Sequence, residues 1–166
     1  MKLFGPIREE YSHSTYKIKS YKITEYNVPS TMKNQIHLLS VARGSTAQIT
    51  TTKRVTGRVE FKSTVGANIK LLINSSFDLS VSGEFAYEYS KSKTYTGPEY
   101  SKYTTRYYYG AVISDQYSFV LERYDVYKVY NGNTFVKERS RCAGDENVKD
   151  VLRPHEYNYF VDSSRN

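Results

Sequence analysis

The sequence predicts an all-β protein, an elongated twisted antiparallel sheet or a β-sandwich with little helix. Val, Ile, Thr, Tyr and Phe, which favour strands, supply 61 of the 166 residues. The strong helix formers Ala and Leu together supply only 14, fewer than the 18 Tyr residues alone. Between positions 47 and 89, apolar residues occupy 16 of 22 odd-numbered positions and 2 of 21 even-numbered ones. This period of two indicates strands with one dry face, and the composition excludes a helical bundle or a coiled coil.

The chain before this alternating region predicts one irregular strand. Residues 16–19 and 21–26 alternate between apolar and polar side chains, with a slip at Ser20 that indicates a bulge. The strand is expected to end at 27–30, where a proline follows a turn-forming asparagine. A short apolar run then leads to a turn at 43–45.

The alternating region predicts the core. Because the apolar parity persists through 47–89, we expect bends, bulges or three-residue loops rather than two-residue hairpins. Candidate turns lie at 65–68, 73–76 and 82–83. The odd-numbered apolar side chains are predicted to be buried. They include Val59, Phe61, Val65, Ile69, Phe77 and Val81.

The region after the alternation contains the sharpest turn signal of the chain. Strands are predicted at 107–113 and 117–130, and the second is followed by Asn131-Gly132. Both residues tolerate the positive φ that a type I′ hairpin turn requires. The predicted hairpin pairs Tyr127 with Val136 and Val129 with Thr134.

The remaining segments give weaker signals. A loop is expected at 94–99, a helical turn at 145–152 that Pro154 stops, and a last strand at 156–161. No linker or low-complexity block interrupts the chain, so we expect residues 1–166 to form a single all-β domain.

The sequence shows no motif for catalysis or for cofactor binding. His13, His37 and His155 have no metal-binding spacing, and Cys142 has no second cysteine to join it. The nine glycines are scattered and form no phosphate-binding loop. We therefore expect a non-enzymatic protein with no catalytic residues, no cofactor and no metal. An enzyme without a recognisable motif stays a second alternative.

A basic, tyrosine-rich stretch is the candidate contact surface. The net charge is +7, and the excess of Lys and Arg lies in the first 70 residues, which favours an anionic surface, polymer or protein partner. Eight tyrosines lie between positions 87 and 109, interleaved with basic residues. A tyrosine has an apolar ring and a polar tip, which suits half-wet contacts. The predicted contact residues are Tyr100, Tyr103, Tyr107, Tyr109, Lys91, Lys93 and Lys102.

The location and the assembly state are weakly constrained by the sequence. No apolar run is long enough for a membrane-spanning helix, and no signal peptide follows Met1. We expect the mature form of an extracellular protein, and a cytoplasmic location stays an alternative. A membrane and a homo-oligomer are open as partners, whereas nucleic acid is disfavoured because the basic residues are sparse and no binding motif is present.

Alternating Ser/Thr-rich strands form the basis of a family resemblance. The stretches 50–56, 63–69, 75–82 and 87–94 combine Ser and Thr with regularly spaced apolar residues. In this respect 44–96 resembles the central β-region of aerolysin-like pore-forming proteins of the epsilon-toxin and mosquitocidal-toxin type. A similar order of elements occurs in small exported all-β proteins of Gram-positive bacteria. The resemblance implies an all-β fold and a hairpin able to enter a membrane.

Two functions follow from these observations. We expect first a non-enzymatic, exported bacterial β-protein that binds a surface or a partner. The alternative is a membrane-active, aerolysin-like pore-forming protein. Segments 52–64 and 78–88 have the 9–11 alternating residues that a membrane strand needs, but a soluble sandwich strand has the same pattern.

Overall fold

The computed structural model describes residues 6–91, 93–100 and 102–164. Within these ranges the chain forms strands and one helix, so the all-β prediction is confirmed. Residues 1–5, on which the expectation about a signal peptide rests, lie outside the described ranges. The elements are β1 (Ile7–Ala42), β2 (Thr46–Gln48), β3 (Lys53–Arg58), β4 (Glu60–Phe61), α1 (Ala67–Ser76), β5 (Glu84–Tyr89), β6 (Thr94–Thr96), β7 (Thr105–Asn131) and β8 (Thr134–Ser163).

Three very long antiparallel strands form the frame of the molecule. The main sheet has the strand order β1-β7-β8-β4, with β7 in the centre and the two-residue β4 on the edge of β8. At about 3.3 Å per residue, the 27 residues of β7 span about 90 Å. We call the end with the β7–β8 hairpin the tip and the opposite end, where β7 begins, the base.

The first strand runs much further than its sequence predicts. A strand end was expected at 27–30, but β1 continues to Ala42 through several register shifts against β7. Asn27 and Asn34 take up these irregularities with positive φ values of 45° and 56°. The predicted bulge near Ser20 is present, between Ile18 and Ser20. Such bulges also protect an exposed edge strand from pairing with other chains.

The two faces of the main sheet can be followed along β7. At every register shift the extra residue lies on β1 or β8, so the alternation of β7 itself is unbroken. Its odd-numbered side chains therefore share one face, the odd face, and its even-numbered side chains share the other, the even face. The segment between β1 and β7, residues 43–104, packs on both.

The odd face carries the core that α1 closes. Tyr117 and Phe119 of β7 pack against Ile73 and Phe77, and Phe119 and Ile73 are completely buried. The ring centroids of Phe77 and Tyr117 are 5.0 Å apart. Val151 of β8 completes this cluster, beside the short strand β4.

The helix α1 corrects the prediction of continuous strands through 47–89. Ile69, Ile73 and Phe77 are spaced by four residues, which satisfies both a two-residue and a 3.6-residue period. The structure uses the helical period, because Leu71, which has the apolar parity, is 43% exposed while Leu72 packs against the core. The turn expected at 73–76 consequently lies inside the helix.

The predicted core residues are confirmed with one exception. Ile69 and Phe77 are buried, and Val59, Phe61 and Val65 are partly buried against the same cluster. Val81, by contrast, is 77% exposed. It lies in the connection between α1 and β5, where Gly83 with a φ of 69° makes the turn that was expected at 82–83.

Two small sheets cover the even face near the base. The pairs β3–β5 and β2–β6 contribute Val55, Tyr89 and Tyr95 to a second cluster that includes Val112 of β7. Neither segment proposed as a membrane strand is a single strand. Residues 52–64 hold β3 and β4 with a break between them, and in 78–88 the strand begins only at Glu84.

The hairpin between β7 and β8 is confirmed, but its register is not the predicted one. Asn131 pairs with Thr134, so the turn residues are Gly132 and Asn133. Gly132, at the first central position, has a φ of 62°, the position where type II′ turns prefer glycine. A bulge then shifts the partners, so Tyr127 faces Arg139 and Val129 faces Lys137.

Two further predictions for the second half of the chain are corrected. Residues 145–152 form part of β8 rather than a helical turn, because they pair with β7 and β4. The expected loop at 94–99 contains the short strand β6, which pairs with β2. The last strand expected at 156–161 is confirmed as part of β8.

Candidate functional site

The predicted contact residues lie at the base but do not form one surface. Tyr107 and Tyr109 are in β7 and point to the odd face. Lys93 directly precedes β6, whose Tyr95 packs on the even face. The other contact residues are in the connections, with Lys91 after β5 and the rest between β6 and β7. These are Tyr100, Lys102 and Tyr103.

Three contacts order the connection between β6 and β7. The Lys102 ammonium lies 5.0 Å from the ring centroid of Tyr103. The backbone N–H of Tyr103 donates to the Tyr100 carbonyl, and the Arg43 guanidinium donates to the Tyr103 carbonyl. Lys102 is therefore engaged beside Tyr103, and Tyr100 is left with its ring exposed.

An aromatic cleft lies on the even face of the base. It has a volume of about 440 Å³ and lies between β6 and the ends of β7 and β8. Its walls are the rings of Tyr95, Tyr108 and Phe160, with centroid separations of 4.8 Å and 5.8 Å along the row. The lining residues are Lys93, Thr94, Tyr95, Thr96, Tyr108, Asn158, Tyr159 and Phe160.

The rings of the cleft are held in place from outside. The Tyr108 hydroxyl donates to the Thr96 carbonyl, which ties β7 to β6. The Arg106 guanidinium lies 3.9 Å from the centroid of Phe160. It also donates two hydrogen bonds to the carboxylate of Asp162, at 2.7 Å and 3.1 Å. The position of Phe160 is therefore defined before any ligand arrives.

The electrostatics of the cleft leave one uncompensated cation. The hydrogen bonds to Asp162 raise the pKa of Arg106, so this ion pair is permanent and locally neutral. Burial raises the pKa of Tyr95 above its usual value, so its phenol stays neutral. Lys93 lies 5.2 Å from the Tyr95 ring centroid, and among the described residues no carboxylate is within ion-pair distance of it. Lys93 is thus the one charged side chain among the described residues that line the cleft, and the Glu156 carboxylate lies close enough to contribute to the raised pKa of Tyr95.

A second aromatic surface lies on the odd face of the base. Tyr109 and Tyr159 stack with centroids 5.3 Å apart and ring planes 18° apart. Tyr157 and His37 extend the row at 6.0 Å and 5.6 Å, and His37 also lies 6.3 Å from Tyr107. The Tyr159 hydroxyl donates to the side-chain carbonyl of Gln35 at 2.7 Å, which ties this row to β1.

The sequence analysis missed the part of the site that β8 contributes. Tyr157, Tyr159 and Phe160 belong to the predicted last strand, but nothing in the sequence indicates that it pairs with 105–111. The spacing of Tyr157 and Tyr159 matches that of Tyr107 and Tyr109, and this repeated spacing is the signal that could have suggested a shared face.

A histidine and a carboxylate meet in a separate cavity of about 280 Å³, which Phe77, Asp115 and His155 help to line. His155 Nε2 lies 3.2 Å from an Asp115 oxygen, and its Nδ1 lies 2.8 Å from the Glu156 carbonyl oxygen. Asp115 also accepts from the backbone N–H of Asn27. These contacts join β8 to β7 through His155 and Asp115, and Asp115 also holds β1 through Asn27, so we interpret the pair as a structural clamp between the three long strands.

Two further properties of the described residues bear on the site. No group of three or more His, Cys, Asp or Glu side chains there could hold a metal ion. Within the same ranges, no helix combines the length and the hydrophobicity needed to cross a membrane.

Comparisons with known proteins supply no family. No protein-family model matches this chain, and no significant similarity to a curated protein or to a solved structure was found. The functional interpretation therefore depends on the geometry of the chain itself.

Proposed function

We propose that this protein acts by binding and that the aromatic cleft at its base holds an acidic saccharide, as a free sugar or as part of a surface polymer. The observation that supports this most directly is the row of Tyr95, Tyr108 and Phe160 beside an uncompensated Lys93. This deepens the expectation of a surface-binding protein by naming the chemistry of the ligand.

The walls of the cleft suit a sugar ring. One face of a pyranose is lined by C–H groups and packs on an aromatic ring, while its hydroxyls point outward at the edges. Phe160 is 50% exposed and offers such a ring. Thr94 and Asn158 line the same cleft and carry hydroxyl and amide groups that can bind the sugar hydroxyls. A few convergent polar groups in a largely apolar concave site are typical of a ligand-binding pocket.

The charge of the cleft favours an acidic ligand. Lys93 is the cation without a carboxylate partner there, whereas Arg106 is already paired with Asp162. A uronic acid or a phosphorylated sugar would supply the missing anion. The net charge of +7 would favour the approach of a polyanionic polymer over long range.

The lining of the cleft favours binding over catalysis. The described residues that line it include no Asp, Glu or His. Enzymes that cleave glycosidic bonds generally use a pair of carboxyl groups on either side of the bond. We therefore propose a binding role for this cleft.

The test compares two polymers with the same sugar backbone, one with charged carboxylates and one with neutral methyl esters. Affinity is measured by titration calorimetry with polygalacturonate and with its methyl ester. We expect tighter binding of the acid form, with affinity falling as salt is added. Phe160→Ala should weaken binding of both polymers about three- to tenfold, since it removes a ring contact. Lys93→Ala should remove the preference for the acid form.

Two variants serve as controls. Phe135→Ala removes an equally exposed phenylalanine, 52% against 50%, at the opposite end of the molecule. Lys102→Ala removes a lysine of the same predicted contact set that lies beside Tyr103 instead of in the cleft. Both should bind like the wild type. If neither polymer binds, or if Phe135→Ala weakens binding as much as Phe160→Ala, the proposal is wrong.

A further inference from the structure

The tip of the long sheet exposes apolar side chains on all its sides. Ile7 is 69% exposed and points to the odd face, and Phe135 points to the even face beside Tyr130. Val136, 54% exposed, lies at the bulge that follows the turn. Ile7 and Val136 line a groove of about 310 Å³ at the tip, and Phe135 extends the apolar surface to the other face, so that apolar side chains surround the strand end as a cap.

Both backbone polar groups of the turn residue Gly132 are hydrogen-bonded within the chain. The N–H of Gly132 donates to the Pro6 carbonyl at 3.1 Å, and the Gly132 carbonyl accepts from the Arg8 guanidinium. Moving a backbone group into an apolar medium is costly chiefly when its hydrogen bond is lost. These two internal bonds lower the cost of placing the turn in a less polar environment.

Basic side chains follow directly behind the apolar cap. Residues 7–11 and 127–141 hold five Lys and Arg against three Glu. Glu9 is neutralised by Arg139 and Arg141, each at 2.7 Å. Lys128 faces Glu10 of β1 and Glu138 of β8 in the register, and Lys137 faces Val129, but neither ammonium is within ion-pair distance of a carboxylate among the described residues. The five cations and three carboxylates of these segments give the tip a net charge of +2, which favours an anionic surface.

We propose that the tip is a docking surface for an anionic lipid bilayer, with Ile7, Phe135 and Val136 at headgroup depth and Lys128 and Lys137 against the lipid phosphates and carboxylates. A fluid surface can contact both faces and the turn at once, which a rigid partner on one face cannot. Amphipathic caps with flanking cations bind bilayers in this manner. The free edges of β1 and β8 keep the contact shallow, because their unpaired backbone groups would be unsatisfied in hydrocarbon.

This docking surface is independent of the saccharide cleft, which lies at the base. With β7 spanning about 90 Å, the cleft would be presented far above the membrane. The charge-neutral variant Phe135→Ser/Val136→Ser should therefore leave binding to polygalacturonate unchanged, and Phe160→Ala should leave vesicle binding unchanged.

The test is co-sedimentation of the full chain with extruded vesicles of phosphatidylcholine alone or with about 30 mol% phosphatidylserine, which gives the vesicle a negative surface potential. We expect stronger binding to the anionic vesicles. The double substitution Phe135→Ser/Val136→Ser should weaken it at least fivefold. Its control is Leu71→Ser/Val81→Ser, which removes two exposed apolar side chains from α1 and the following connection.

A second pair of variants tests the charge. Lys128→Glu/Lys137→Glu should abolish the preference for anionic vesicles. Its control is Lys62→Glu/Lys91→Glu, which changes the net charge by the same amount at exposed sites elsewhere and should retain most of this preference. The proposal would be overturned if the two tip variants bound the anionic vesicles as well as their two control variants do. Release of an encapsulated dye by the wild type would also overturn it, because the protein would then insert beyond headgroup depth. A wild-type dimer that is lost in Phe135→Ser/Val136→Ser would overturn it as well, because a second copy of the chain would then cover the tip.

Discussion

The ring of Tyr89 lies directly on Gly110, so closely that a β-carbon at position 110 would be 2.5 Å from the ring atoms. Gly110 is in the central strand β7, and Tyr89 is the last residue of β5. The Tyr89 hydroxyl reaches past the glycine and donates to the Glu156 carboxylate of β8 at 3.2 Å. One side chain thus joins a small sheet to two long strands, next to the aromatic cleft.

We predict that Gly110→Ala destabilises the protein. The added methyl group cannot be accommodated without moving the Tyr89 ring, and overpacking of this kind costs about 1–3 kcal/mol. Urea unfolding followed by circular dichroism measures the loss. The double variant Gly110→Ala/Tyr89→Leu should lose less than the sum of the two single variants, because the smaller side chain makes room. Strict additivity would contradict the contact.

We predict a fall in stability at alkaline pH that depends on Tyr89. Burial raises the pKa of Tyr89 well above its ordinary value of 10.0, and the nearby Glu156 carboxylate raises it further. Above about pH 10 the unfolded chain loses this proton while the folded chain keeps it, so the free energy of unfolding decreases as the pH rises. Urea titrations at pH 8 and pH 11 should show a smaller decrease for Tyr89→Phe than for the wild type. An identical decrease in both would refute the assignment.

We predict that α1 is held against the main sheet by the side chains on one face of the helix. Ile73→Ala should lower the free energy of unfolding by about 2–5 kcal/mol, because Ile73 is completely buried against β7. Leu71→Ala, two residues away and 43% exposed, should change it by less than about 0.5 kcal/mol. If this segment were a strand, as the alternation suggests, both side chains would face the core and both substitutions would destabilise strongly.

We predict that the ion pair behind Phe160 contributes to stability and to the shape of the cleft. Arg106 and Asp162 have side chains only 15% and 14% exposed, so Asp162→Asn leaves a guanidinium poorly compensated and should cost about 1–3 kcal/mol. The matched control is Asp145→Asn, which breaks the solvent-exposed pair with Lys19 and should leave the unfolding midpoint almost unchanged. Comparable losses in the two variants would mean that the pair has no special role.

The prediction of the core residues shows where local patterns are sufficient. Ile69 and Phe77 were predicted as buried and are buried, although they lie in or next to a helix and not in strands. Burial was predicted correctly because apolar side chains leave water in either conformation. The type of element was not, since a four-residue spacing fits both periods, and packing on Tyr117 and Phe119 selects the helix.

The candidate site shows where local patterns fail. Tyr107 and Tyr109 were expected to form a surface with Lys93, but the alternation of β7 places the tyrosines on the face opposite the cleft. Phe160 was not expected at all, because its pairing with Tyr108 follows from a register set over the whole β7–β8 ladder. A one-residue change in that register would move Phe160 to the other face.

By itself the sequence determined that this chain is built mainly from strands, that alternate side chains of its central segment are apolar and turn toward a core, and that a tight turn follows position 130. These are local properties, set by side-chain shape, by hydrophobicity and by the φ angles that asparagine and glycine tolerate. Only the tertiary structure decided that three strands run the length of the molecule, that the segment between β1 and β7 packs on both faces of the sheet and that Lys93 and Phe160 line the same cleft. Those contacts join residues far apart in the chain, and they depend on bulges that shift β1 and β8 against β7.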